Sequence, residues 1–273
     1  MTTYKSTERE KGPAMISDRY LDDFIGIQLL EENAKEQEKR TPSGKLSASM
    51  LSWPLQWQIL KKHGVPPRPI DEYAIRKMLR GKHCEEWFVS KAPGIVCTQE
   101  FREYRGVIGY EDTSLDTGLW NNPVGIIPVE IKSVANAKYK RIISQGADRS
   151  HILQNCLYAL ASGKEKFAIV YIAADDYRIA TMIYETKDIK SQVDSVIDRY
   201  EKQGVVVPVF EPEEKWQADP KYNSYPDWSG LTKEEITIKL AEFQNEKNTR
   251  KEQIESSKGS EAEGTHQGAD LKN

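Results

Sequence analysis

Ile126-Ile-Pro-Val-Glu-Ile-Lys-Ser-Val134 is β-branched and alternating, the clearest strand in the chain, and the fold is read outward from it. Alternate side chains of a strand share a face. Val129 and Ile131 therefore point into a core, while Glu130 and Lys132 project together on the other side. A carboxylate and an ammonium so placed suit phosphodiester hydrolysis. The carboxylate would hold Mg²⁺, and the lysine would orient the attacking water or stabilise charge on the phosphorane. An amphipathic strand carrying a surface ion pair has the same pattern.

The segments before this strand read as α-helical. Residues 16–40 keep helical spacing through Tyr20, Phe24, Ile27 and Leu30 before Thr41-Pro-Ser-Gly44 breaks the pattern. A helix is expected over 50–63, then a loop at Gly64-Val-Pro-Pro-Arg-Pro69, then a helix over 72–91 capped by Asp71. Short strands are expected over 95–104, 106–110 and 114–120, with a turn at Asn121-Asn-Pro123. After the quoted strand come a helix over 150–162, an apolar strand over 167–174, a hairpin return over 177–184 and a helix over 189–203. Residues 231–253 read as a charged helix, and 256–273 as too poor in apolar residues to order.

Of the 273 residues, 30% are charged, and the net charge is −3. No apolar run approaches the roughly 18–20 residues of a membrane span, so no membrane is expected. The polar first 13 residues lack the apolar core of a secretory signal, and Cys84, Cys97 and Cys156 are too scattered for a disulfide framework or metal knuckle. An intracellular, cytoplasmic setting is the expectation. Slight acidity counts against a protein that coats nucleic acid. Yet Lys132, Lys138, Lys140, Arg141 and Arg149 crowd one stretch, and Lys61, Lys62, Arg68, Arg76, Lys77, Arg80 and Lys82 another, so a local basic groove is compatible with the total.

Three further pieces accompany the strand. Asp116 would end a strand before the turn that returns into the Glu130 strand, giving two hard oxygen ligands side by side. Glu85 stands on a helix one turn after Gly81, and Gln154 and Tyr158 share one helix face. A helical Glu, a strand Asp, an ExK strand and a QxxxY helix, in this order, resemble the RecB-type branch of the PD-(D/E)XK nucleases, which includes CRISPR-associated exonucleases and phage-encoded relatives. The resemblance covers roughly residues 45–212.

The resemblance implies an α/β fold: a restriction-endonuclease-like core with a central mixed sheet flanked by helices. It implies three parts, namely an N-terminal helical arm at 1–44, a nuclease domain at 45–230 and a charged helix and tail at 231–273. It implies DNA as partner, a divalent-metal-dependent deoxyribonuclease, exonuclease in type and in some cases virus-encoded, and a 5′-phosphate product. Glu85, Asp116, Glu130 and the carbonyl of Ile131 would hold Mg²⁺ or Mn²⁺. Lys132 would be the catalytic lysine, and Gln154 and Tyr158 would touch nucleic acid or the metal water. The chain departs from the pattern in carrying Glu85 where relatives often have histidine. Gly109-Tyr-Glu-Asp112 also offers a competing GxxD aspartate, against which Leu115 before Asp116 and a short hairpin favour Asp116. The alternative from another class is a catalytically silent relative that binds DNA or protein, and the charged helix at 231–253 would suit a protein partner.

Many relatives bind an iron–sulfur cluster through one cysteine in the helix ahead of the first acid and three near the C-terminus. Here the corresponding regions hold Trp53, Trp57 and the segment from Trp216 to Trp228, with no cysteine, so no cluster is expected. The purified protein should be colourless and free of iron. Broad visible absorbance with stoichiometric iron and sulfide would contradict this.

Overall fold

The computed structural model describes residues 19–39, 44–121 and 123–263, as α1 (Arg19–Lys39), α2 (Leu55–Lys62), α3 (Glu72–Lys91), β1 (Ile95–Tyr104), β2 (Val107–Asp116), β3 (Ile126–Val134), α4 (Asn136–Gln145), α5 (Arg149–Ala161), β4 (Lys166–Ala173), β5 (Ile179–Glu185), α6 (Thr186–Gln203) and α7 (Lys233–Glu263). The chain divides into two compact units. Among described residues, α1 and Ile70–Leu79 form one, and the remainder the other. In the first, Arg76 pairs with Glu72 at 2.6 Å and with Asp22 at 2.8 Å. Gly26 admits the Glu72 carboxylate, which a Cβ there would meet at 2.2 Å.

The second unit is α/β, a mixed five-stranded sheet flanked by helices, in the order β1-β2-β3-β4-β5. Only β3 and β4 run parallel, and the crossover between them is made by α4 and α5. From Phe167 on, β4 is apolar because both its faces are covered. Phe167, Ile169, Tyr171 and Ala173 pack with α5 and α6. Ala168, Val170 and Ile172 pack with Cys84 and Phe88 of α3, alongside Ile127, Val129 and Ile131. A third cluster gathers Trp57, Leu60, Tyr225, Trp228 and Ile236, with Leu240 and Phe243 of α7 against it.

Several boundaries differ from the sequence reading. The helix expected over 50–63 is a 3-10 turn at Ala48–Met50 and then α2, parted at Pro54, which cannot donate a backbone N–H. The strands expected over 106–110 and 114–120 are joined in one strand, β2, which ends at Asp116, and Thr117–Leu119 form a 3-10 turn. Glu111-Asp112-Thr113 read as a polar break, but β1 neutralises it. Arg102 Nε donates to the fully buried Glu111 at 2.6 Å, and Thr113 Oγ1 donates to the Cys97 carbonyl at 2.7 Å. The basic stretch after β3 forms α4, a helix not anticipated, with Tyr139 and Ile142 buried. Helix α7 extends to Glu263, through part of the tail expected to lack order, and residues 264–273 lie outside the described set. Its residue Ile236 is buried in the third cluster, beside Trp57 and Tyr225.

One of the contacts between the sheet and α5 is unusually close. Gly109 of β2 has no side chain because Tyr158 occupies the space: a Cβ would lie 2.6 Å from Tyr158 Oη, 2.9 Å from its Cε1 and 3.1 Å from Ala48 Cβ. Gly109→Ala is expected to destabilise the protein by about 1–3 kcal/mol through overpacking. Thermal unfolding checks this, and an unchanged melting temperature would contradict the contact.

Candidate active site

The site lies where β2 and β3 part. Their pairing runs from Asp116↔Ile126 to Thr113↔Val129. One residue further, Asp112 comes opposite Glu130, and the ladder gives way to a side-chain contact: the Ile131 N–H donates to Asp112 Oδ2 at 2.8 Å. On the other edge of β2, the pairing with β1 also skips Asp112, passing from Thr98↔Thr113 to Glu100↔Glu111. The residue skipped on β1 is Gln99, whose φ of 52° is left-handed and unfavourable for a side chain of its kind. Asp112 thus sits at a break in both ladders.

Glu130 is fully buried, at 0% exposure, and its Oε1 lies against the Lys132 ammonium. Its Oε2 is buried without a hydrogen-bond partner. Burial, only partly offset by Lys132 and reinforced by the charges of Asp112 and Glu85, pushes the Glu130 carboxyl up to about 8. Asp112 is also raised, by burial first, against the pull of Lys132 and the Ile131 N–H. Lys132 is 29% exposed. Burial lowers its proton affinity, but the Glu130, Asp112 and Glu85 carboxylates outweigh that and hold it above the ordinary lysine range.

Glu85 reaches this group from α3. Its carboxyl is raised by partial burial and then by Asp112, while Gln99 and Lys132 lower it. Gln99 Nε2 donates to Glu85 Oε1 at 2.7 Å. The strained residue is therefore the one that holds the helical acid, a role sequence reading did not find, since a left-handed glutamine has no sequence signature.

Gln154 and Tyr158 of α5 are joined by a 3.3 Å hydrogen bond from Gln154 Nε2 to the Tyr158 hydroxyl. Tyr158 is buried against Gly109, and its phenol is pushed up by burial and then by the charge of Glu130, with Asp112 and Glu111 adding to it. It remains a neutral phenol at any ordinary pH. Gln154 is half-buried.

The expected placement of Asp116 beside Glu130 requires a correction. Its carboxylate is exposed and caps the following 3-10 turn, accepting the Gly118 N–H at 2.9 Å. The geometric reason is antiparallel register. Glu130 lies four residues into β3, so its neighbour on β2 lies four residues back from Asp116, at Asp112. A short hairpin brings the residue nearest the turn beside Ile126, not beside Glu130. The GxxD glycine was the usable signal, because Gly109 makes room for the tyrosine of the QxxxY helix. The structure thus brings together Glu85, Asp112, Glu130 and Lys132, and leaves Asp116 outside.

The donor set fits a hard divalent cation in charge and type: three carboxylates face one ammonium, and a buried oxygen of Glu130 lacks a donor. Glu85, Asp112, Glu130 and the Ile131 carbonyl are the groups that would hold it. As the side chains stand, no three His, Cys, Asp or Glu groups among the described residues converge on one ion. Gln99 holds Glu85 and Lys132 holds Glu130, so a cation would compete with both contacts.

No protein-family model matches the chain, and no curated protein matches its sequence. Among solved structures it is similar to an alkaline exonuclease from Laribacter hongkongensis, LHK-Exo, with 15% identity and a TM-score of 0.42 over 59% of this chain and 90% of that one. The same exonuclease in complex with dAMP gives 14% identity and a TM-score of 0.40, over 59% and 89% of the two chains. SSO0001 gives 19% identity and a TM-score of 0.43, over 78% and 98%. Likenesses at this level concern the course of the chain and carry no argument about chemistry or about the RecB-type branch.

Proposed function

We propose that this protein is a divalent-cation-dependent DNA nuclease, and that Asp112, Glu130 and Lys132 carry the reaction with Glu85 in support. The observation that carries the reading is the fork between β2 and β3, where three carboxylates and one lysine share a largely buried space. Such a concentration of negative charge is costly unless a cation balances it. A bound divalent cation would supply positive charge for the developing phosphorane and an activated water.

The chain's own residues would do the rest. Asp112, fixed by the Ile131 N–H, and Glu130 would hold the cation. Lys132 is held protonated and partly open to solvent, so it donates to a non-bridging phosphate oxygen and steadies the attacking water. Tyr158 is too buried to meet substrate and instead forms the wall that fixes β2 against α5, while Gln154 is left able to contact the nucleic acid. The RecB-type resemblance favours exonuclease action from a DNA end.

The second reading, a silent scaffold that binds DNA or protein, is favoured by one observation: the carboxylates do not converge as they stand. Cleavage of end-labelled linear DNA separates the two readings. With Mg²⁺ or Mn²⁺ the wild-type protein should cut and excess EDTA should stop it, while closed circular DNA should resist an exonuclease. Asp112→Asn should lower the rate by roughly 10²-fold or more, and Asp116→Asn should leave it near wild type. Loss in Asp116→Asn with full activity in Asp112→Asn would refute the assignment, and absence of cleavage under all conditions would favour the scaffold.

The pH dependence has a definite sign. The cation needs Glu130 ionised, and that carboxyl is raised to about 8, so protons and cation compete for it. At limiting Mg²⁺ the rate should climb with pH through about 8 and level off above it. Saturating Mg²⁺ should move this limb to lower pH. A rate that falls from pH 6 to 8 at limiting Mg²⁺ would contradict the role of Glu130.

A further inference from the structure

Beside Lys132 lies a second charged cluster that the proposed chemistry does not use. Lys138 and Arg141 stand one turn apart on α4, and both reach Asp148, the residue preceding α5. Lys138 Nζ lies 2.6 Å from Asp148 Oδ2, and Arg141 NH2 donates to Oδ1. His151, on the first turn of α5, has Nδ1 at 4.0 Å from the same Oδ2 and 2.8 Å from the Tyr171 hydroxyl. Tyr171 in turn accepts the Asp148 N–H at 3.1 Å. It is also the register partner of Lys132 on the neighbouring strand. A continuous row therefore runs from Lys132 across Tyr171 and His151 to Lys138 and Arg141.

We propose that Lys138 and Arg141, with His151 behind them, form a subsite for a nucleic-acid phosphate flanking the one attacked at the fork, and that Asp148 occupies their charge until DNA arrives. This deepens the nuclease reading and rests on it. The two cations are 43% and 45% exposed, whereas Asp148 is 20% exposed. The ammonium and guanidinium thus face solvent, with the carboxylate beneath. A lysine and an arginine gripping the two oxygens of one anionic group is an arrangement that serves phosphate equally well. Asp148 is the carboxylate that both cations touch, and Glu214 acts on Arg141 from further off. His151 is pushed down to about 3 by burial and next by the charge of Lys132, with Lys138 and Arg141 adding to it against Asp148. His151 is thereby a neutral imidazole that adds no charge of its own to the row.

The test is DNA binding measured by fluorescence anisotropy with a labelled oligonucleotide, in an Asp112→Asn background that does not cut the probe, between 50 and 300 mM salt. The double substitution Lys138→Gln, Arg141→Gln should weaken binding about tenfold at low salt and reduce the slope of log K against log salt by about 1–2. Asp148→Asn should tighten binding, because it frees both cations. If the double variant fails to fold, each single substitution should carry part of the slope change, about 1 or less. A folded double variant with unchanged affinity and slope would overturn the subsite while leaving the nuclease reading intact. A background protein that binds no DNA even at 50 mM salt would overturn both.

Discussion

Everything at the candidate site depends on the burial of Glu130. A carboxylate at 0% exposure in a central strand is unfavourable by itself, and the surrounding structure is arranged to tolerate it. Lys132, two residues on and on the same face, supplies one positive charge. Asp112 and Glu85 add negative charge nearby. The balance is wrong for a purely structural ion pair, which would match one acid to one base. An excess of carboxylate in a dry place is stable only when a cation completes it, or when one acid stays protonated, as the rise of Glu130 to about 8 indicates.

The rest of the fold supplies rigidity to this fork. β4, covered on both faces, holds β3 straight along its parallel edge. Asn155 of α5 ties that edge, donating to the Ala168 carbonyl at 2.6 Å and to the Pro128 carbonyl at 3.3 Å, just where the two strands begin to pair. β1 neutralises Glu111 of β2 by presenting Arg102 to it. The cost of fixing the site falls on Gln99, held left-handed at the break in the β1–β2 ladder while its side chain holds Glu85. Strain stored in this way belongs to a residue whose position matters more than its comfort.

Much of this was legible in the sequence because it follows simple periodicities. β3 alternates and was read residue for residue, as was α3, and β4 announced itself as an apolar run. Glu85, Glu130 and Lys132 came from the order of short motifs, and the structure gathers them. The aspartate opposite Glu130 was not read as Asp112 because Glu111-Asp112-Thr113 looks like a turn until Arg102 and the Cys97 carbonyl are known to satisfy it. That pairing joins residues from two strands and has no local signature. Helix α4 was hidden for a similar reason: its charges read as a solvated run, and only Tyr139 and Ile142 hint at a buried face.

The central claim is that the fork is incomplete without a divalent cation, and calorimetric titration of Mg²⁺ into the DNA-free protein tests it most directly. The account predicts saturable binding accompanied by release of protons at pH 7, measured as a dependence of the heat on the ionisation enthalpy of the buffer, and abolished in Glu130→Gln. Absence of saturable binding, or binding equal in wild type and Glu130→Gln, would contradict it.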